Sequence, residues 1–93
     1  MMWIKEVYPL EPYRILLKIH TGEQYTLDCS ELMKSPLFAK IKDPEFFRTV
    51  HVDETGLICW DKVTDIEPEW LRVHMKPAAE QDFRDAMDGF PDE

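Results

Sequence analysis

The segment from residue 43 to residue 71 constrains the fold more than any other part of the chain. It contains two helix starts, at Asp43-Pro44 and Glu67-Pro68, because a proline in the first helical turn needs no N–H and aspartate can cap free amides. Between them, two short alternating apolar stretches flank the turn Glu54-Thr55-Gly56. Such a pair of stretches is typical of a β-hairpin. The segment therefore predicts an α+β fold with antiparallel strands and short helices.

The first third of the chain predicts an antiparallel meander. We expect a strand over 1–7, a loop from Pro9 to Pro12, and a second strand over 13–19 whose odd-numbered apolar residues face inward. Leu16 interrupts the polar face of that strand, so we expect the polar face to be partly covered as well. Gly22 predicts a hairpin turn before a third strand, because glycine adopts positive φ without steric cost.

The last sixteen residues differ in character from the rest. Residues 1–77 carry thirteen acids and ten bases, whereas residues 78–93 carry six acids and one base. The apolar residues of the later segment recur with helical spacing. We therefore predict a single α+β domain over 1–77 and an acidic amphipathic C-terminal helix as an extension over 78–93.

The net charge of −8 opposes direct binding to duplex DNA or anionic lipid. The four bases Lys34, Lys40, Lys42 and Arg48 are the one local basic cluster and keep a nucleic-acid-associated regulator as the alternative. Lys5 and Glu6 interrupt the apolar start that a secretory signal needs, and no window is apolar enough for a membrane span. We therefore expect a cytoplasmic protein.

The residues that could carry chemistry are better explained by structure, so we predict no enzyme, no cofactor and no catalytic or metal-binding residue. Cys29 and Cys59 lack metal-type spacing and indicate reduced thiols, although His51 could face Cys59 across the hairpin. A small carboxylate-dependent hydrolase is the further alternative. Its candidate carboxylates are better explained as turn and helix-start residues: Asp53, Glu54, Asp61, Asp65, Glu67 and Glu69. A set of aromatic side chains indicates core, with some lining a groove: Trp3, Trp60, Trp70, Phe46 and Phe47.

Several stretches between residues 3 and 75 resemble the family called domain of unknown function 2442. They are Thr21-Gly22-Glu23, residues 27–32, residues 38–47, residues 50–53, Ile58-Cys59-Trp60 and residues 65–71. The resemblance implies a compact α+β fold with antiparallel strands and no established activity. It also implies small toxin-like partners, and an added helix-turn-helix domain in some members, for which residues after 77 offer one helix only. The chain departs from the family pattern at residues 61–64.

These observations together predict a non-catalytic protein-interaction module, with an antitoxin-like or phage-defence setting implied by the resemblance alone. The expected partner is a protein, basic in character, that contacts the C-terminal helix. The predicted partner-binding residues are Phe83, Met87, Phe90, Asp82, Asp85 and Asp88. The alternatives for this helix are packing on its own domain and docking on a second copy as a homodimer.

Overall fold

The computed structural model of the protein describes residues 4–80, 82 and 84. Within them, strands and short helices follow one another with few intervening residues. They are β1 (Ile4–Leu10), β2 (Arg14–Ile19), β3 (Gln24–Asp28), 3₁₀ segments at Cys29–Lys34 and Pro36–Lys42, α1 (Pro44–Phe47), β4 (His51–Val52), β5 (Ile58–Asp61), β6 (Thr64–Asp65), α2 (Pro68–His74) and β7 (Lys76–Pro77). The α+β class is confirmed.

The first sheet has the strand order β1-β2-β3-β7, and each neighbouring pair is antiparallel. This confirms the predicted meander. Gly22 has a φ of 99° in the β2–β3 turn, as the sequence predicted. The predicted loop over 9–12 was wrong at its start, because Pro9 lies in β1 opposite Ile15. Proline is tolerated there because β1 is an edge strand.

The second sheet has the order β4-β5-β6 and contains the predicted hairpin. His51 lies opposite Cys59 in it, and Val52 lies opposite Ile58. The third strand, β6, was not predicted. It forms because the Asp61 side chain accepts a hydrogen bond of 3.1 Å from the Val63 amide and so reverses the chain.

Three of the short helical elements begin at a residue whose side chain caps the first turn. Asp28, Ser35 and Asp43 each accept a hydrogen bond from the amide two residues later, at 3.0, 3.3 and 3.1 Å. Glu67 precedes α2 without such a bond. Ile66 and Leu71 are both buried around that start, as a hydrophobic staple requires.

One core joins the two sheets and the helical elements. Ile15 and Leu17 on β2 are fully buried in it. The indole N–H of Trp60 donates a 2.9 Å hydrogen bond to the Phe47 carbonyl. Phe38 contacts the same indole edge-to-face, with ring centroids 6.3 Å apart. These contacts fix the second sheet against the segment that runs from residue 36 to residue 47.

The outer face of the first sheet carries a smaller apolar cluster. Leu16 and Leu10 are buried there and pack with Tyr8 and Ala78, which confirms that the second face of β2 is covered. Ala78 is held in place because its amide donates a 3.1 Å hydrogen bond to the Gln24 carbonyl. The predicted C-terminal helix is described only at helical Glu80, Asp82 and Arg84, and the rest of it lies outside the described residues.

Candidate interaction groove

Asp82 is the one predicted partner-binding residue that the structure describes. Its carboxylate forms a 2.8 Å ion pair with Arg14 on β2 and accepts a 2.9 Å hydrogen bond from the Ala79 amide. Arg14 and this amide lower the pKa of Asp82. The carboxylate therefore binds within its own chain. The other predicted residues lie outside the described part: Phe83, Asp85, Met87, Asp88 and Phe90.

Two of the candidate carboxylates show shifted pKa values, Asp53 and Asp61, and both serve turns. The full set is called the acidic strip: Asp53, Glu54, Asp61, Asp65, Glu67 and Glu69. Asp53 accepts hydrogen bonds from the amides of Thr55 and Leu57 at 2.8 and 3.0 Å, and the Thr55 hydroxyl and these amides lower its pKa. The buried Thr64 hydroxyl lies near Asp61 without a hydrogen bond of normal geometry. Together with Lys40, 2.9 Å away, it lowers the pKa of Asp61 to about 2. Both groups stay ionised, whereas a general acid needs a raised pKa.

The sequence left open that His51 faces Cys59 across the hairpin, and the structure places the two opposite each other with 3.4 Å between Sγ and Nε2. His51 Nδ1 lies 2.8 Å from the Thr49 carbonyl and donates to it, since a carbonyl only accepts. Nε2 is then the acceptor for the thiol. Burial raises the pKa of Cys59, and the nearby carboxylates of Asp53 and Asp65 raise it further. This thiol is held protonated, the opposite of what a nucleophile needs.

Three of the four bases of the predicted basic cluster are paired with carboxylates. Lys34 lies 3.3 Å from Glu31, Lys40 pairs with Asp61, and Arg48 lies 3.3 Å from Glu11. The cluster therefore presents less free positive charge than the sequence predicted. In the described part of the chain, no group of three or more metal-ligating side chains could hold a metal ion. Nor does any helix there have the length and apolar character needed to cross a bilayer.

An open groove of about 530 Å³ lies between the two 3₁₀ segments on one side and β6 with the start of α2 on the other. Its volume is in the range of sites that bind small molecules or side chains of a partner. The groove is lined by Glu31, Leu32, Ser35, Leu37, Phe38, Val63, Asp65, Ile66, Glu67 and Trp70. Apolar side chains form most of this lining.

Two large apolar side chains in the groove lining, on separate segments of the chain, face solvent. Leu37 and Val63 each expose 74% of their surface. Leu37 stands at the first turn after Pro36, and Val63 at the tip of the β5–β6 turn that Asp61 caps. Trp70 on α2 is half-buried and stacks on His74, with ring centroids 3.9 Å apart. Trp70 thus confirms the prediction that some aromatic residues line a groove.

Three acids and no base stand among the lining residues. Glu31 is paired with Lys34, so its charge is largely offset. Asp65 and Glu67 form no ion pair with any residue between 4 and 80, nor with 82 or 84. The wall that contains the start of α2 therefore carries two carboxylates without an ion-pair partner in the described part of the chain, beside apolar side chains.

A scan against protein families matched one model over residues 4–77, and its description is protein of unknown function (DUF2442). The chain belongs to this family. The crystal structure of a "Putative DNA Binding Protein" from Nitrosomonas europaea is similar to it, with 32% sequence identity and a TM-score of 0.63. That match covers 68% of this chain and 42% of the other. A search of curated proteins found no match.

Reasoning from the sequence predicted that aromatic residues line a groove in this DUF2442 protein, but it did not locate the groove. Leu37 and Val63 were not among the predicted binding residues, and Asp65 and Glu67 were explained as helix-start residues. A usable signal exists, since Val63 stands between Lys62 and Thr64 in a polar turn where an apolar residue has no core role. The walls nevertheless meet only through tertiary packing, because residues 31–38 and 63–70 are separate in sequence.

Proposed function

We propose that this DUF2442 protein is a non-catalytic protein-interaction module, and that it binds a segment of another protein in the groove. The observation that carries the proposal is the pair of exposed apolar side chains, Leu37 and Val63, that separate segments contribute to one apolar groove. Single exposed apolar residues are normal on a protein surface, but a continuous apolar surface with a polar rim is typical of a binding site.

Burial of these side chains supplies the affinity. Covering one valine or leucine contributes about 1.5–3 kcal/mol relative to leaving it in water. Leu37, Val63 and the exposed part of Trp70 together therefore offer several kcal/mol to a partner that fills the groove. Ordering the partner consumes part of this energy, so we expect binding in the micromolar range rather than tighter.

Hydrolysis by paired carboxylates has weaker support. The two carboxylates of the acidic strip with shifted pKa values, Asp53 and Asp61, are shifted downward and engaged with turn amides. The lining acids Asp65 and Glu67 belong to the same groove, but the adjacent surface is apolar and solvent-open. Such a surface binds a side chain well and excludes water poorly.

DNA binding is the alternative that the name of the Nitrosomonas europaea protein raises. More than half of that protein lies outside the match, so its named role need not reside in the matched part. In this chain, three of the four clustered bases are paired with carboxylates. The net charge is −8, which repels a phosphate backbone. Protein binding therefore agrees better with the geometry than DNA binding does.

Two valines with nearly equal exposure provide a matched test. Val63 lines the groove and exposes 74% of its surface, whereas Val73 exposes 77% and lies outside the lining. A photo-crosslinking amino acid placed at each position in living cells should trap a discrete protein at position 63 and not at 73. The trapped protein is then purified and its affinity measured by calorimetry against Val63→Asn and Val73→Asn.

We expect Val63→Asn to weaken that affinity about tenfold, the equivalent of 1.4 kcal/mol, because one buried apolar side chain is lost. Val73→Asn should change it less than twofold. Both variants should keep the melting temperature of the wild type, since both side chains are exposed. Equal effects of the two variants, or crosslinks that do not depend on position, would show that the groove is not the binding surface.

A further inference from the structure

We infer that the occupant of the groove is an amphipathic helix of another protein with lysine or arginine beside its apolar stripe. This inference rests on the proposed function and names the chemistry of the partner. It follows from an apolar lining combined with two carboxylates on one wall, Asp65 and Glu67, that form no ion pair with residues 4–80, 82 or 84.

The charge of the rim selects the partner. Both carboxylates stand on the β6–α2 side, and Glu67 makes no side-chain bond to the helix that it precedes. Its carboxylate is therefore free to pair with an incoming cation. An apolar segment that brings lysine or arginine to this wall can form ion pairs with both carboxylates while its apolar side chains cover the apolar part of the lining. Complementary charge of this kind discriminates between partners more than it adds affinity.

The shape of the site favours a helix over an added strand. Strand addition needs a free edge with several unpaired backbone groups. The strand at the groove, β6, is an edge strand of two residues, and the Ile66 amide just after it already donates to the Ile58 carbonyl. The groove instead presents side chains on both walls, which is how a helical ligand with apolar residues three and four positions apart is bound.

Charge also disfavours the other occupants. Residues 78–93 carry six acids and one base, so the chain's own C-terminal segment would bring negative charge to a negative wall. A second copy of the chain carries a net charge of −8 and meets the same repulsion. A nucleic acid would bring phosphates to Asp65 and Glu67. A basic helix alone satisfies both the apolar floor and the acidic wall.

A displayed library of random 16-residue peptides tests the inference with the full-length protein. Peptides are selected on the wild type, and those that still bind Leu37→Asn/Val63→Asn are removed. Surviving peptides are measured against Asp65→Asn/Glu67→Gln and against Glu45→Gln/Glu54→Gln. The second pair removes the same charge from exposed positions outside the groove lining. Sedimentation of wild type and the Leu37/Val63 variant reports self-association.

We expect the surviving peptides to be rich in lysine and arginine at helical spacing from apolar residues, and to become helical on binding by circular dichroism. The selected peptides should bind Asp65→Asn/Glu67→Gln about tenfold more weakly than the wild type, and their binding to this variant should depend less on salt. Their affinity for Glu45→Gln/Glu54→Gln should fall less than twofold. Groove-dependent peptides without basic residues, or bound in extended form, would overturn the inference and leave the proposed function standing. A groove-dependent dimer would also overturn it. If no peptide depends on Leu37 and Val63, the proposed function fails as well.

Discussion

Replacing Trp60 by phenylalanine tests how the core of this protein is held together. Trp60 is 4% exposed, and its indole N–H donates a 2.9 Å hydrogen bond to the Phe47 carbonyl. Phenylalanine lacks that donor, and loss of one buried hydrogen bond costs about 1 kcal/mol. The smaller ring also leaves space against Phe38 and Phe47, which should cost a further ~1–2 kcal/mol. The total is about 2–3 kcal/mol.

Trp70 provides the control for this change. It is half-buried at the groove, and its indole N–H has no hydrogen-bond partner among the described residues. Trp70→Phe should therefore cost less than about 1 kcal/mol, since no buried hydrogen bond is lost and a phenylalanine ring can still stack on His74. The comparison isolates the buried hydrogen bond and the packing around Trp60 from the general effect of removing an indole.

Urea unfolding followed by far-ultraviolet circular dichroism gives the free energy of unfolding without relying on tryptophan fluorescence. We expect Trp60→Phe to lower the free energy of unfolding by about 2–3 kcal/mol with an unchanged m-value. In a thermal scan of a domain of this size, the same loss lowers the melting temperature by about 10–20 °C. If Trp60→Phe and Trp70→Phe lose equal stability, the indole–carbonyl bond does not anchor the second sheet, and the description of the core given above is wrong.

Three further predictions concern a cap, a thiol and an ion pair. Asp43→Ala should lower the free energy of unfolding by about 1 kcal/mol, because a 3.1 Å cap bond is lost. Glu67 makes no such bond, so Glu67→Ala should change the free energy of unfolding by less than about 0.5 kcal/mol in the same urea assay. Equal losses would contradict the capping assignment. Burial raises the pKa of Cys29 to about 12, so iodoacetamide should not modify this thiol in the native protein near pH 8. Mass spectrometry should detect prompt modification of Cys29 only in urea. Rapid modification without urea would show that Cys29 is accessible in the folded protein. The pKa of Asp82 is lowered in the folded protein, so its ion pair with Arg14 stabilises the fold above the ordinary aspartate pKa of about 4, and this stabilisation is lost as pH falls through the lower folded value. The free energy of unfolding of the wild type should therefore exceed that of Asp82→Asn near neutral pH, and the difference should shrink on acidification. A difference that does not depend on pH would contradict the pairing.

Local patterns were sufficient for the elements whose determinants are adjacent in sequence. Helix α1 begins where the capping residue Asp43 precedes a proline, α2 begins at Pro68 without a side-chain cap, and the two hairpin turns carry glycines with φ of 99° and 90°. The alternation in β2 placed Ile15 and Leu17 in the core. Each of these outcomes depends on a few neighbouring side chains and on backbone sterics, so the chain encodes them directly. The family resemblance came from the same local stretches and is confirmed.

The candidate site could not be predicted in this way. Its walls come from residues that are far apart along the chain, and they meet because Trp60, Phe38 and Phe47 pack in one place. The strands β6 and β7 are two residues long, and such short strands have no periodic pattern of their own. Their backbone groups pair because β5 and β3 present free edges to them.

The amino-acid sequence by itself determined the α+β class, the meander, the hairpin and the family, because caps, turns and alternation act over a few residues. Tertiary structure alone decided that Leu37 and Val63 line the same groove, that Asp65 and Glu67 stand in its lining without an ion pair to any described residue, and that Asp82 binds Arg14 of its own chain. Exposure and charge pairing depend on which distant segments pack together, and packing minimises the free energy of the whole chain rather than of any one segment.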